Sequence, residues 1–129
     1  MSPRTRSGPL VTLACAPRDS WSTGLLQLGF ALAERDCRVA YLGPRVSAAA
    51  LSAIAERTSS ALIVLSAEAH DLTRRECVQL RLIRCPLVVV GAAREELARA
   101  LRVSAAGPDP VRAAADIART ARTARVSPR

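Results

Sequence analysis

The sequence predicts a doubly wound α/β fold, a five-stranded parallel sheet of order 2-1-3-4-5 with helices on both faces. Three observations predict it. Five short aliphatic runs alternate with five segments of helical period along 129 residues. The runs show little internal alternation of polar and apolar residues, as expected of strands buried on both faces. Turn residues, Gly43-Pro44, Gly91 and Gly107-Pro108, punctuate the units. A chain of this length fits one domain, and with half its residues apolar it can fill one core.

Residues 1–8 are polar and basic and read as a disordered arm, 9–121 as the folded domain, and 122–129 as a basic tail. Within the domain, 9–16 (PLVTLACA) is a buried strand bounded by prolines. Residues 21–36 carry Leu25, Leu28 and Leu32 at helical spacing. Residues 38–42 (RVAYL) form a second strand. A helix over 47–58, capped by Ser47, puts Leu51, Ile54, Ala55 and Thr58 on one face. Residues 61–66 (ALIVLS) are the third strand, and 71–83 a helix with Asp71 as its N-cap. Residues 86–90 (PLVVV) are the fourth strand, 94–101 a short helix and 103–106 a brief edge strand. Asp109 caps the last helix, Pro110 occupies its first turn, and Val111, Ala114, Ile117, Ala118 and Ala121 form its buried stripe.

The formal net charge is +8, and every basic side chain apart from the single histidine is arginine. The absence of lysine excludes a P-loop nucleotidase and a Schiff-base enzyme. It also argues against a phospho-accepting receiver domain, since the third strand ends Ser66-Ala67-Glu68. Arginine at both ends gives salt-sensitive attraction to phosphate, with no pattern for specific nucleic-acid binding by this chain alone. Four cysteines, Cys15, Cys37, Cys77 and Cys85, lack metal-site spacing and read as free thiols of a reducing cytoplasm. No signal peptide and no membrane-spanning run of 18 apolar residues is visible.

In this flavodoxin-like Rossmann arrangement, ligands bind beyond the carboxyl ends of the strands, where the winding reverses between the first and third strands. The first loop there reads Asp19-Ser20-Trp21-Ser22-Thr23-Gly24. It resembles the D-x-H-x-x-G loop of cobalamin (vitamin B12)-binding domains, with Trp21 at the axial histidine. Val39-Ala40-Tyr41-Leu42-Gly43 resembles that family's second strand and turn. Ser66 falls where the family keeps a serine facing the nucleotide tail, and Gly91-Ala92 falls on its Gly-Gly pair. Gly107-Pro108-Asp109-Pro110 resembles its last strand-to-helix turn. The resemblance spans roughly residues 10–121 and is greatest to the cobalamin domains of light-sensing MerR-type regulators.

The resemblance implies cobalamin as cofactor and Asp19, Trp21, Ser22, Thr23, Gly24, Gly43, Ser66, Gly91 and Ala92 as its binding residues. Trp21 cannot ligate cobalt, because the indole N–H only donates. His70, the one histidine, is the candidate substitute ligand. From the residues alone, Asp19 also reads as a first-turn carboxylate, Trp21 as packing, and Ser66 as a hydroxyl satisfied by backbone. The functional expectation is a stand-alone, non-catalytic corrinoid-binding domain in sensing, regulation or corrinoid handling. Residues 1–8 leave no room for a capping helix bundle, so a partner protein or a homodimer is expected to cover the ring. The alternatives are a degenerate interaction module that has lost the corrinoid, and an accessory subunit of a corrinoid-dependent enzyme.

Overall fold

The computed structural model describes residues 8–20 and 23–126. Five parallel strands, β1 (Leu10–Cys15), β2 (Arg38–Gly43), β3 (Ser60–Ser66), β4 (Leu87–Val90) and β5 (Ser104–Ala105), lie in the order β2-β1-β3-β4-β5. Five helices intervene: α1 (Thr23–Glu34), α2 (Ala48–Arg57), α3 (Arg74–Arg81), α4 (Arg94–Leu101) and α5 (Pro110–Val126). The topology is the one expected.

Register sorts side chains onto two cores. Leu13 pairs with Tyr41 on one side and Val64 on the other. Because a strand's side chains alternate in direction, Val11, Leu13 and Cys15 pack with Leu62, Val64 and Val88 under α1 and α5. Ala14, Ala16, Ile63, Leu65 and Val89 pack on the opposite face with Leu51, Leu80 and Leu97 from α2, α3 and α4. With so few aromatics, close approach replaces bulk. A Cβ on Gly29 would stand 3.0 Å from Leu13 Cδ1, so α1 sits directly on β1.

Local chemistry explains the helix starts and corrects two expectations. Ser47 accepts from Ala50 N–H, and Asp109 Oδ1 accepts from Val111 N–H, as anticipated. Asp71 is not the cap of α3. Thr73 is, because Glu76 three residues on completes a reciprocal capping box. Val111 is 62% exposed rather than buried. Beneath the first turn of α5 lies an open cleft bordered by Pro110 and Ala113, so packing begins only at Ala113. No disulfide joins the four cysteines, and burial pushes the Cys85 thiol up to about 11.

Gly91 holds the carboxyl end together. Its φ is +104°, and a Cβ there would meet the Ala67 carbonyl oxygen at 2.4 Å. Ala67 N–H donates to Val90 O and Ala93 N–H to Ala67 O, so neither backbone segment can give way. Gly91→Ala is therefore expected to lower stability by about 2 kcal/mol or more. Gly43→Ala, at φ +97° with open space around its Cβ, costs less. Urea-unfolding midpoints of the two variants check the order.

Candidate functional site

The carboxyl ends of the central strands are stitched by hydrogen bonds between distant loops. Ala16 N–H donates to Ser66 O, joining the ends of β1 and β3. Val46 N–H donates to Cys15 O, and Arg45 N–H to Asp19 O, fixing the loop after β2 against the loop after β1. The Asp19 carboxylate accepts from Glu68 N–H through Oδ2 at 2.6 Å. Burial raises the Asp19 pKa, an effect only partly offset by that backbone donor.

Between α1 and α5, over the ends of β3 and β4, a cleft of about 300 Å³ opens. Leu25 and Leu28 of α1, Val90 of β4 and Ala113 of α5 give it apolar walls. Ser66, Glu68 and Arg94 give it polar groups. Ser66 is 2% exposed, and its hydroxyl makes no hydrogen bond to any described residue. That hydroxyl opens onto the cleft, where a polar ligand atom could meet it. Arg94 donates one N–H to Gly91 O at 3.1 Å, which leaves further donors of its fork at the rim.

Of the residues singled out in the sequence, the cleft brings together Gly24, Ser66, Gly91 and Ala92. Asp19 stands at its edge through the bond to cleft-lining Glu68. Thr23 is the exposed first residue of α1. Gly43 ends β2 and does not line the cleft. His70 is exposed in the loop after β3 and does not line it either. Trp21 and Ser22 lie outside the described residues. Among the described residues no group of three His, Cys, Asp or Glu is arranged to hold a metal ion. Glu68 and Arg94 were not singled out, and no local motif marks them. Leu25 and Leu28 were read only as core.

The cleft lies at the crevice where the winding reverses, the usual ligand position in open α/β sheets. Solved structures share this architecture. The monomethylamine corrinoid protein of Methanosarcina barkeri matches with a TM-score of 0.75 and 15% identity, over 91% of this chain and 60% of its own. The methanol:cobalamin methyltransferase complex MtaBC of the same organism matches with 0.72 and 16%, over 88% and 46%. A diflavin flavoprotein from Nostoc sp. matches with 0.61 and 8%, over 92% and 97%. The fold is the flavodoxin-like one. This chain spans about half the length of the two corrinoid structures. No family model and no curated protein matches the sequence. Among the described residues no helix is long and apolar enough to cross a membrane.

Arg18 braces the first loop through ion pairs with Glu76 and Asp71. Arg18 contacts both carboxylate oxygens of Glu76, at 2.5 and 3.2 Å, and donates to Asp71 O at 2.9 Å. The hydrogen bonds from Arg18 hold the Glu76 pKa below the usual carboxylate value. On acidification the unfolded chain therefore protonates this position first. The stabilisation is complete above the ordinary glutamate range of about 4.3 and is lost as pH falls through the depressed folded value. Wild type is expected to exceed Glu76→Gln in stability at pH 7, modestly because the pair is exposed. The gap should close below about pH 4, read from urea midpoints across pH; Asp19 titrates alike in both proteins.

Proposed function

We propose that this chain binds a corrinoid, with the nucleotide tail of cobalamin in the α1–α5 cleft and the ring over the carboxyl ends of the strands. The observation that carries this reading is the Ser66 hydroxyl bordering an apolar-walled slot at the switch point. A flat aromatic base on a sugar-phosphate tail needs this combination of apolar walls and a few placed polar groups. Leu25, Leu28, Val90 and Ala113 would hold the base. The Ser66 hydroxyl would meet a polar atom of the tail, and the spare Arg94 N–H groups would face its phosphodiester. The two corrinoid-protein structures, with TM-scores of 0.72 and 0.75, support the reading, against 0.61 for the flavin protein.

Trp21 has no lone pair to offer cobalt, so this reading assigns no protein nitrogen to the lower face from that position. A bound corrinoid would bring cobalt-centred chemistry, while this chain would bind and orient it. Asp19 would hold the loop against Glu68 rather than orient an imidazole. Residues 9–121 then form the corrinoid-binding domain of a sensing, regulatory or corrinoid-handling protein, comparable to the light-sensing MerR-type regulators. The exposed side of the ring would be covered by a partner protein or a second copy.

A degenerate interaction module is the second reading, and one observation favours it: Asp19 already spends an oxygen on Glu68 N–H. An accessory role beside a corrinoid-dependent enzyme is compatible with either a sensing or a handling chain. Titration with aquocobalamin, followed by visible absorption and equilibrium dialysis, separates binding from its loss. Saturable binding is expected, and Ser66→Leu, which fills the slot, should weaken it at least about tenfold, or ~1.4 kcal/mol. Trp21→His should tighten binding, with Asp19 two residues before the new imidazole. If neither wild type nor Trp21→His binds any cobalamin, the corrinoid reading fails and the interaction module replaces it.

A further inference from the structure

A parallel sheet wound this way sends every helix back toward the amino ends of the strands, so all helix C-termini gather at one end of the domain. The sequence loads that end with arginine. Arg57 closes α2, Arg81 closes α3 with Arg84 just beyond it, Arg99 lies in the last turn of α4 with Arg102 as its cap, and Arg122 lies near the end of α5. All six are exposed. Among the described residues, neither Glu34 nor Glu56, the helix carboxylates toward the same end, forms an ion pair with these six. At the opposite end, beside the cleft, carboxylates are abundant: Asp19, Glu68, Asp71, Glu76, Glu95 and Glu96. Arg18, Arg45, Arg74, Arg75, Arg94 and Arg112 offset these carboxylates, so the excess of positive charge lies at the helix C-termini.

Cations at helix C-termini complement the helix dipole, which accounts for Arg57, Arg81 and Arg99. It does not account for Arg84, past the cap of α3. Nor does it account for Arg102, held at φ 58°, a left-handed conformation that glycine adopts without strain. Five of the six, Arg57, Arg81, Arg84, Arg99 and Arg102, have no hydrogen-bond or ion-pair partner among the described residues through their side chains. Arg122 donates to Arg35 O.

We propose that this arginine pole docks the phosphate backbone of a nucleic-acid duplex without reading its sequence, leaving the cleft at the far end free. The guanidinium fork matches phosphate oxygens. The cations are spread over the ends of four helices, which suits a repeating line of anions rather than one pocketed anchor. The pole has little to read bases with, since the chain contains no asparagine and neither Phe30 nor Tyr41 lies in the last turn of a helix. The exposed apolar side chains nearest this end, Val78 on α3, Leu82 at its end and Phe30 on α1, sit on opposite faces of the sheet and form no continuous apolar face to hold the pole in a bilayer.

The test is fluorescence anisotropy of a labelled 30-base-pair duplex between 50 and 200 mM salt. Binding should weaken with a log–log salt slope of about −4 to −5, and the slope should be the same for unrelated sequences. The quadruple variant Arg57→Gln, Arg81→Gln, Arg84→Gln, Arg102→Gln should reduce that slope by about 3 to 4. The double variant Arg74→Gln, Arg75→Gln, at the cleft end of α3, should leave it unchanged. Circular dichroism and urea midpoints establish that both variants fold. No binding at 50 mM salt, an equal loss in the Arg74/Arg75 control, or tighter pole-dependent binding to phosphatidylglycerol vesicles would each overturn the proposal. Because the readout is nucleic acid and the cleft is untouched, it fails or stands independently of corrinoid binding.

Discussion

β1 and β3 run side by side at the centre of the sheet, and their pairing sets where everything else can go. The chain leaves β1 toward β2 on one side, then crosses back to β3 on the other, so the loops after these two strands part in opposite directions. A crevice opens where they part. The pair is held to its last residue, with Cys15 opposite Ser66 and Ala16 N–H bonded to Ser66 O. Asp19 to Glu68 and Arg45 to Asp19 then carry the stitching outward into the loops. A shift of one residue between β1 and β3 would turn Ser66 toward α2 and α3 and leave the cleft without its hydroxyl.

The same constraint makes one set of residues serve as core and as wall. Leu25 and Leu28 are buried in the α1–α5 core and also face the cleft. Small residues allow this. Gly29 lets α1 settle onto β1, and the alanines of α5 let that helix lie close to α1 further down. Where α5 rises past the last strands, nothing fills the space beneath its first turn, and the helices remain parted. Gly91 is needed for the backbone contact with Ala67 before any question of a ligand arises. Its place in the resemblance thus has a sufficient explanation in the fold.

The strands and their order were legible because unbroken aliphatic runs between helical segments admit few alternatives. The start of α3 was placed at Asp71 from the sequence, whereas Thr73 with Glu76 spells the capping box that sets it. Val111 followed the helical phase of the stripe, yet in the first turn of α5 it is 62% exposed, which no periodicity reveals. Ser66, Gly91 and Ala92 were singled out by the family resemblance, and all three line the cleft. Glu68 and Arg94 were not, because their roles arise from contacts that no local pattern encodes. The bond between Asp19 and Glu68 joins residues 49 positions apart, and only the folded sheet brings them together.

The central claim is that the cleft between α1 and α5 receives the tail of a corrinoid, and the direct measurement is the affinity difference between two ligands. Cobalamin carries the nucleotide tail, while cobinamide presents the same ring without it. Isothermal titration of the wild-type chain with each should give tighter binding for cobalamin by at least about tenfold, ~1.4 kcal/mol, with the difference vanishing in Ser66→Leu. Equal affinity of the wild type for both ligands would contradict the account, because the cleft would then contribute nothing to recognition.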